Sequence, residues 1–236
     1  LKKIKIISAL AIGLWTIAGC FSDVNAGQYE NPLFGYTHLL PSPFTPPAGK
    51  AYLGTQSGIG VTDFLSVETN LLSDFYGIYN ARARMSLLDF PGFAAGVNLG
   101  YQYYNLNSLS SANPSLNVAT WMPGAVIGAE ILPYFALFVG GSLAYTSVDL
   151  PSSDFDTSGY TQGAQIESDL SWAYNPHKST IGNVLSAGVS YNTTYKFYGF
   201  GVSHHWRGFQ LGVHYFPNAS RYKVAPIIGG GVAFDL

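Results

Sequence analysis

Three observations in the sequence predict an all-β chain closed into an antiparallel up-and-down barrel of about 12 strands, with 10 as the alternative count. Segments of strict period-2 alternation recur from residue 48 to the C-terminus. Charged residues make up only 10% of the 236 residues, against 15% aromatic residues and 27 glycines. The connections alternate between short turns and longer loops rich in Ser, Asn, Asp and Pro.

The alternation runs as follows. Ala51, Leu53 and Thr55 oppose Lys50, Tyr52, Gly54 and Gln56, as one strand over 49–59. Leu65, Val67 and Leu71 oppose Ser66, Glu68 and Asn70. Tyr79, Ala81, Ala83 and Met85 oppose Asn80, Arg82, Arg84 and Ser86. Phe93, Val97, Leu99 and Tyr101 oppose Ala94, Asn98, Gly100 and Gln102. Trp121, Ala125, Ile127 and Ile131 oppose Thr120, Gly124, Gly128 and Glu130. Phe135, Leu137, Val139 and Tyr145 oppose Ala136, Gly140, Ser142 and Thr146.

The stretch 165–174 sets Ile166, Leu170, Trp172 and Tyr174 against Glu167 and Asp169. Ile166, Leu170 and Tyr174 also fit a helical stripe, but the neighbouring strand patterns decide for a strand. Leu185, Val189 and Tyr191 oppose Ser186, Gly188 and Ser190; Tyr198, Phe200 and Val202 oppose Gly199, Gly201 and Ser203. Phe209, Leu211, Val213 and Tyr215 oppose Gln210, Gly212 and His214, and a last strand runs from Val224 to Leu236. Short turns fall at 60–63, 89–92, 132–133, 175–178 and 206–208, and longer loops at 106–117 and 149–160. These are turn and loop compositions.

Which face meets solvent follows from composition. A soluble sandwich buries its apolar face and covers the other with charge, and a typical soluble domain carries about 25% charged residues. Here the polar face is mostly Gly, Ser, Ala, Asn and Gln, and the aromatics recur near strand ends. No run after residue 20 is long and apolar enough for a membrane helix of ~20 residues. A transmembrane barrel reconciles these facts: the apolar face meets lipid, the polar face lines the lumen, and aromatics sit at the two interfaces. Closure leaves no backbone edge unpaired in hydrocarbon. The strands match the ~9–11 residues a crossing needs.

The C-terminal stretch Gly231-Val-Ala-Phe234-Asp-Leu236 resembles the assembly signal of bacterial outer-membrane β-barrel proteins, in which a glycine precedes spaced hydrophobic residues and a closing aromatic. It departs from that pattern in ending on Leu236 and in placing Gly229 where a polar residue is usual. The resemblance implies export, folding by the barrel-assembly machinery, contact with outer-membrane lipid and lipopolysaccharide, and residence in the bacterial outer membrane. No subfamily is identified.

The first residues read as an export signal over 1–26: Lys2, Lys3 and Lys5, an apolar Ile6–Ala18, then small Val24 and Ala26 before a cleavage point. Ile17-Ala18-Gly19-Cys20 resembles the lipobox of bacterial lipoproteins, and that resemblance implies a competing reading in which Cys20 is lipidated and becomes the first residue. Both export the chain. Residues 27–47 hold a candidate first strand at 28–39 and a proline-rich outer loop with Pro41, Pro43, Pro46 and Pro47; 48–236 form the barrel. That first strand makes an even count, since both termini of such barrels are periplasmic. If 28–47 is instead a periplasmic or luminal segment, the count is 10.

The inward charges are the candidate site. Glu68, Arg82 and Arg84 share the inward parity on adjacent strands and form a salt-bridged luminal cluster; Glu130, Glu167 and Asp169 form an acidic wall opposite. Parity also places His205 and His214 inward and His204 outward. A tetrahedral metal site would need further ligands. Ser203 and His205 make a faint hydrolase-like pair with no Gly-x-Ser-x-Gly elbow to support it. No metal, cofactor or enzymatic activity is therefore expected, and the net charge of −2 gives no ground for a nucleic-acid partner. The expected function is a narrow passive channel for small solutes. The alternatives are a plugged structural or binding barrel acting through its loops and, behind it, an outer-membrane lipid-modifying enzyme.

Overall fold

A computed structural model of the chain describes Leu40 and residues 42–90, 92–105, 117–132, 134–149, 159–173, 184–194, 196–206, 209–219 and 223–235. Twelve antiparallel strands close into one barrel, each paired with its sequence neighbours, and β12 returns to β1. The strands are β1 Lys50–Gly54, β2 Gln56–Thr62, β3 Leu65–Asn70, β4 Ile78–Phe90, β5 Phe93–Asn105 and β6 Asn117–Leu132. They continue as β7 Phe135–Asp149, β8 Gly159–Ala173, β9 Val184–Asn192, β10 Phe197–Trp206, β11 Phe209–Tyr215 and β12 Val224–Asp235. One short helix, α1, spans Leu71–Phe75 between β3 and β4. Among the described residues no helix is long and apolar enough to cross a membrane.

The count agrees with the expected one for a different reason. The expected single strand at 49–59 is a hairpin: β1 turns at Thr55 and runs back as β2, pairing Ala51 with Ile59 and Tyr52 with Gly58. Ser57 holds the turn, its Oγ accepting from Gly54 N at 3.0 Å and donating to Gly54 O at 3.1 Å. A turn this tight interrupts the sequence too briefly to break the period-2 pattern. The candidate strand at 28–39 lies outside the described residues, as do the loop residues 106–116 and 150–158.

Strand lengths are uneven. β6 has 16 residues and β7 and β8 have 15 each, whereas β1 has 5 and β3 has 6. The wall around β1–β3 is thus shorter than the expected ~9–11 residues per crossing.

The faces follow the predicted parity. Buried side chains of β3 and β4 include Ser66, Glu68, Asn70 and Arg84; those of β8 to β11 include Glu167, Asp169, Ser171, Ser186, Ser190, Ser203, His205, Gln210 and His214. The opposite face exposes large apolar groups, among them Leu211 at 59%, Ile166 at 55% and Trp121 at 50%. Interior and exterior are therefore inverted relative to an ordinary soluble domain, where buried charge is rare and charge covers the outside.

The chain before β1 corrects a second expectation. Residues 42–46 of the stretch foreseen as an outer loop with Pro43, Pro46 and Pro47 lie inside the barrel, with Leu40, Ser42, Phe44 and Thr45 all buried, and Pro47 is exposed where the chain leaves it. Proline has no N–H to give to a ladder, so a stretch with three prolines in five residues cannot extend the sheet. It crosses the lumen as a strap instead. The neighbouring chain turns through Gly49, whose φ of +75° suits glycine, and enters β1.

Candidate functional site: the lumen and its strap

The lumen has two ends. One carries the start of β1, the end of β12 and the turns β2–β3, β4–β5 and β6–β7; it is called here the terminal end. The other carries α1 and the β1–β2 turn, and is called the loop end. The strap occupies the terminal half.

Its apolar anchors come first. Leu40 and Phe44 pack with Ala94, Val126, Ala136, Phe138 and Val184, inward residues of β5, β6, β7 and β9. Phe138 is completely buried. Polar contacts fix the backbone between these anchors. Leu40 N donates to Asp169 Oδ2 at 3.3 Å, and Arg84 Nη1 donates to Ser42 O at 3.4 Å. Thr45 Oγ1 donates to Asp63 O at 3.1 Å, and Ala48 N donates to Asp63 Oδ1 at 3.0 Å.

The charge cluster sits beside the strap. Arg84 donates through Nε to Glu68 Oε1 and forms an ion pair with it, both side chains being almost wholly buried. Ser66 Oγ adds a hydrogen bond to the same carboxylate oxygen at 3.0 Å. The pairing is diagonal: across the strands Glu68 stands opposite Arg82, and Arg84 stands opposite Ser66. The small Ser66 leaves the space into which Arg84 reaches.

Arg82 lies one rung nearer the loop end and is half-buried. It acts electrostatically on Glu167, whose other charged neighbour is Asp169. A polar recess opens beside it, lined by Gln56, Asn70, Asn80, Gln102 and Met122. The recess floor is stiff on one side, because Asn80 Nδ2 donates to Asn70 O at 3.0 Å and to Asp74 Oδ1 at 3.0 Å.

Five of the six expected charges thus meet in the lumen, and Glu130 does not. Its side chain is exposed at the terminal rim, where Oε1 accepts from Tyr134 N at 3.2 Å. A β-bulge between Glu130 and Leu132 ends regular pairing at that point. The acidic wall reduces to Glu167 and Asp169.

The histidines lie inward as expected but on different rungs, His205 opposite Gln210 and His214 opposite Gly201. Ser203 Oγ is 3.3 Å from His205 Nε2 and accepts from Gln210 Nε2 at 3.2 Å. Ser190 Oγ is 3.2 Å from His214 Nε2, and the Phe216 ring stacks on His214 with centroids 4.4 Å apart. Ser171 and Ser186 share a hydrogen bond of 2.8 Å. These side chains are all buried, and the Ser171–Ser186, Ser190–His214 and Gln210–Ser203 bonds link strands of the wall. Among the described residues no group of three or more His, Cys, Asp or Glu is placed to hold a metal ion.

Gly231 and Phe234 fall in the strand that seals the barrel, paired with Gly54 and Ala51 of β1. Leu236 and Cys20 lie outside the described residues.

Fold and lumen define a class: a closed, twelve-stranded, up-and-down barrel with an apolar exterior, a charged and hydroxylated interior, and a peptide strap across one half of that interior. No protein-family model matches the chain, and no curated protein is similar to it in sequence.

Sequence reasoning held a luminal 28–47 segment only as the alternative to a first strand and outer loop, and it missed the strap's partner Asp63. The one available signal was the proline cluster beside inward glycines, which leaves space in the lumen and supplies a segment unable to join the sheet.

Proposed function

We propose that the protein is an integral barrel of the bacterial outer membrane whose lumen is plugged by its own strap in the state described. The observation that carries the membrane part is the inversion of faces: Leu211, Ile166, Trp121 and Val189 stand exposed while Glu68, Arg84 and Asp169 are buried. In water such an exterior would be a large aggregation surface. In lipid it is the favourable arrangement, with charge kept off the acyl chains.

Aromatic placement supports the same reading. Tyr101 packs on Trp121 toward the loop end, with centroids 4.6 Å apart, and Phe135 stacks on Trp172 toward the terminal end at 5.7 Å. Two such groups at opposite ends of the wall match the interfacial girdles of a spanning barrel. Export by the 1–26 signal and assembly through the Gly231–Leu236 stretch complete this proposal.

The strap carries the plugged part. A lumen in which Asp169, Ser171 and Arg84 are sealed from solvent is no open pore. A second reading, the narrow passive channel, is favoured by the small polar recess beside Arg82.

The test is an outward charge. Ile166 lies in the middle of β8 and is 55% exposed. Ile166→Arg should cost about 2–4 kcal/mol of folding stability in lipid vesicles, the range for a cation near the bilayer midplane. It should leave a soluble barrel nearly unchanged. Urea titration in vesicles reads the difference, and an unaffected midpoint would refute the membrane reading.

A further inference from the structure

The barrel wall is shaped around the strap. A side chain at Gly60 would collide with the carbonyl oxygens of Pro46 and Pro47. At Gly96 a Cβ would come within 2.8 Å of the Pro43 carbonyl oxygen, and at Gly140 within 2.8 Å of Leu40 Cδ2 and 2.7 Å of the wall's own Ala125 O. These glycines lie on β2, β5 and β7, so the cleared track crosses the lumen rather than following one hairpin. Along it stand an acceptor for a backbone N–H, Asp169, and a donor for a backbone carbonyl, Arg84. At its far end is the apolar socket of Ala94, Val126, Phe138 and Val184.

The barrel closes without the strap. β1 pairs with β12 over Lys50–Gly54 and Gly231–Asp235, and the strap contributes no rung to that ladder. Side chains hold it, aided near its exit by backbone bonds at the mouth such as Lys50 N to Pro47 O at 3.0 Å. Removing a segment held in this way breaks no sheet hydrogen bond. A proline-rich segment also loses little backbone freedom on docking, because proline is already restricted.

We infer that the lumen is a binding cleft for a proline-rich peptide segment, that Leu40 and residues 42–46 occupy it in cis, and that release of this segment opens a conducting path past Arg82. The conducting part rests on the membrane reading; the peptide-cleft part does not. The glycine track supplies the fit, the Asp169 and Arg84 contacts supply polarity and direction, and the socket supplies the anchor.

The experiment uses the full chain with Cys20→Ser and Ser42→Cys, so that the only thiol sits on the strap. Labelling with a water-soluble maleimide should be slow while the strap is docked. Gly60→Leu should expel the strap and speed labelling about tenfold or more, tenfold being the change in population for the loss of one charge-assisted contact. In planar bilayers the same variant should raise the probability of conducting states by a similar factor. A leucine added to an empty lumen would narrow it and lower conductance, so the sign of the change is decisive. Leu40→Asp provides a second route that leaves the wall intact, placing a charge in the apolar socket and beside Asp169. Unchanged labelling in both variants, with native-like electrophoretic mobility of the unheated barrel, would overturn the inference. Faster labelling in detergent from a protein that fails to insert into vesicles would keep the peptide cleft and refute only the membrane reading.

Discussion

Arg82 and Arg84 stand two residues apart on β4 and point the same way, yet they belong to different halves of the lumen. Arg84 lies in the terminal half, 2% exposed, bonded to Glu68 and to the strap at Ser42 O. Arg82 lies in the loop half, half-buried beside a polar recess, and acts on Glu167 through space. The difference teaches that the strap divides the interior. On its side the lumen behaves like a protein core, where every charge needs a partner. On the other, a small polar recess leaves Arg82 partly solvated, while the β10–β12 side is packed by His214, Phe216 and Ile227.

The comparison can be broken most severely at Arg84. Arg84→Ala leaves Glu68 buried without its main partner and should cost about 3–5 kcal/mol. Replacing both as Glu68→Leu/Arg84→Met should cost much less than that single change, because no charge is left stranded. Urea midpoints followed by tryptophan fluorescence measure both; equal losses in the two variants would mean the pair is not the buried unit described. Phe138→Ala should come next, at about 3 kcal/mol for a large side chain removed from the socket under Leu40. It should also raise the reactivity of a thiol at position 42, which a cavity far from the strap would not do.

A smaller effect sharpens the contrast. Ser171→Ala removes the neutral hydrogen bond to Ser186 and should cost about 1 kcal/mol, read by the same urea midpoints. The smallest is Arg82→Ala, expected at under about 1 kcal/mol because the group is partly solvated. Its signature is functional: once the strap is released, ion selectivity should shift toward cations, since Glu167 and Asp169 then face the path alone. A selectivity identical to wild type would place the conducting route away from Arg82.

Much of this could be read before any coordinates. Glu167 and Asp169 between Ile166, Leu170 and Trp172 announced an inward acidic pair, and β8 places them there. The inward sides of Glu68, Arg84, His205 and His214 followed from the same alternation. Register was the limit. The alternation that puts Glu68 and Arg82 on one face does not say that Arg84, one rung away, makes the ion pair. Glu130 has the correct parity and still misses the cluster, because a bulge and the strand end carry it to the rim. The hairpin at Thr55 was invisible because its turn preserves the alternation on either side.

By itself the sequence determined the closed all-β architecture, the count of about a dozen strands and the inversion of apolar and polar faces. These depend on period-2 patterning and on the scarcity of charge, which are local properties of the chain. Only the tertiary structure decided that the lumen is divided. The strap's contacts join residues as distant in sequence as Leu40 and Asp169, 129 positions apart. No periodicity encodes such a meeting. It arises because a proline-rich segment cannot enter the sheet, and the glycine track inside the closed barrel leaves it a place to lie.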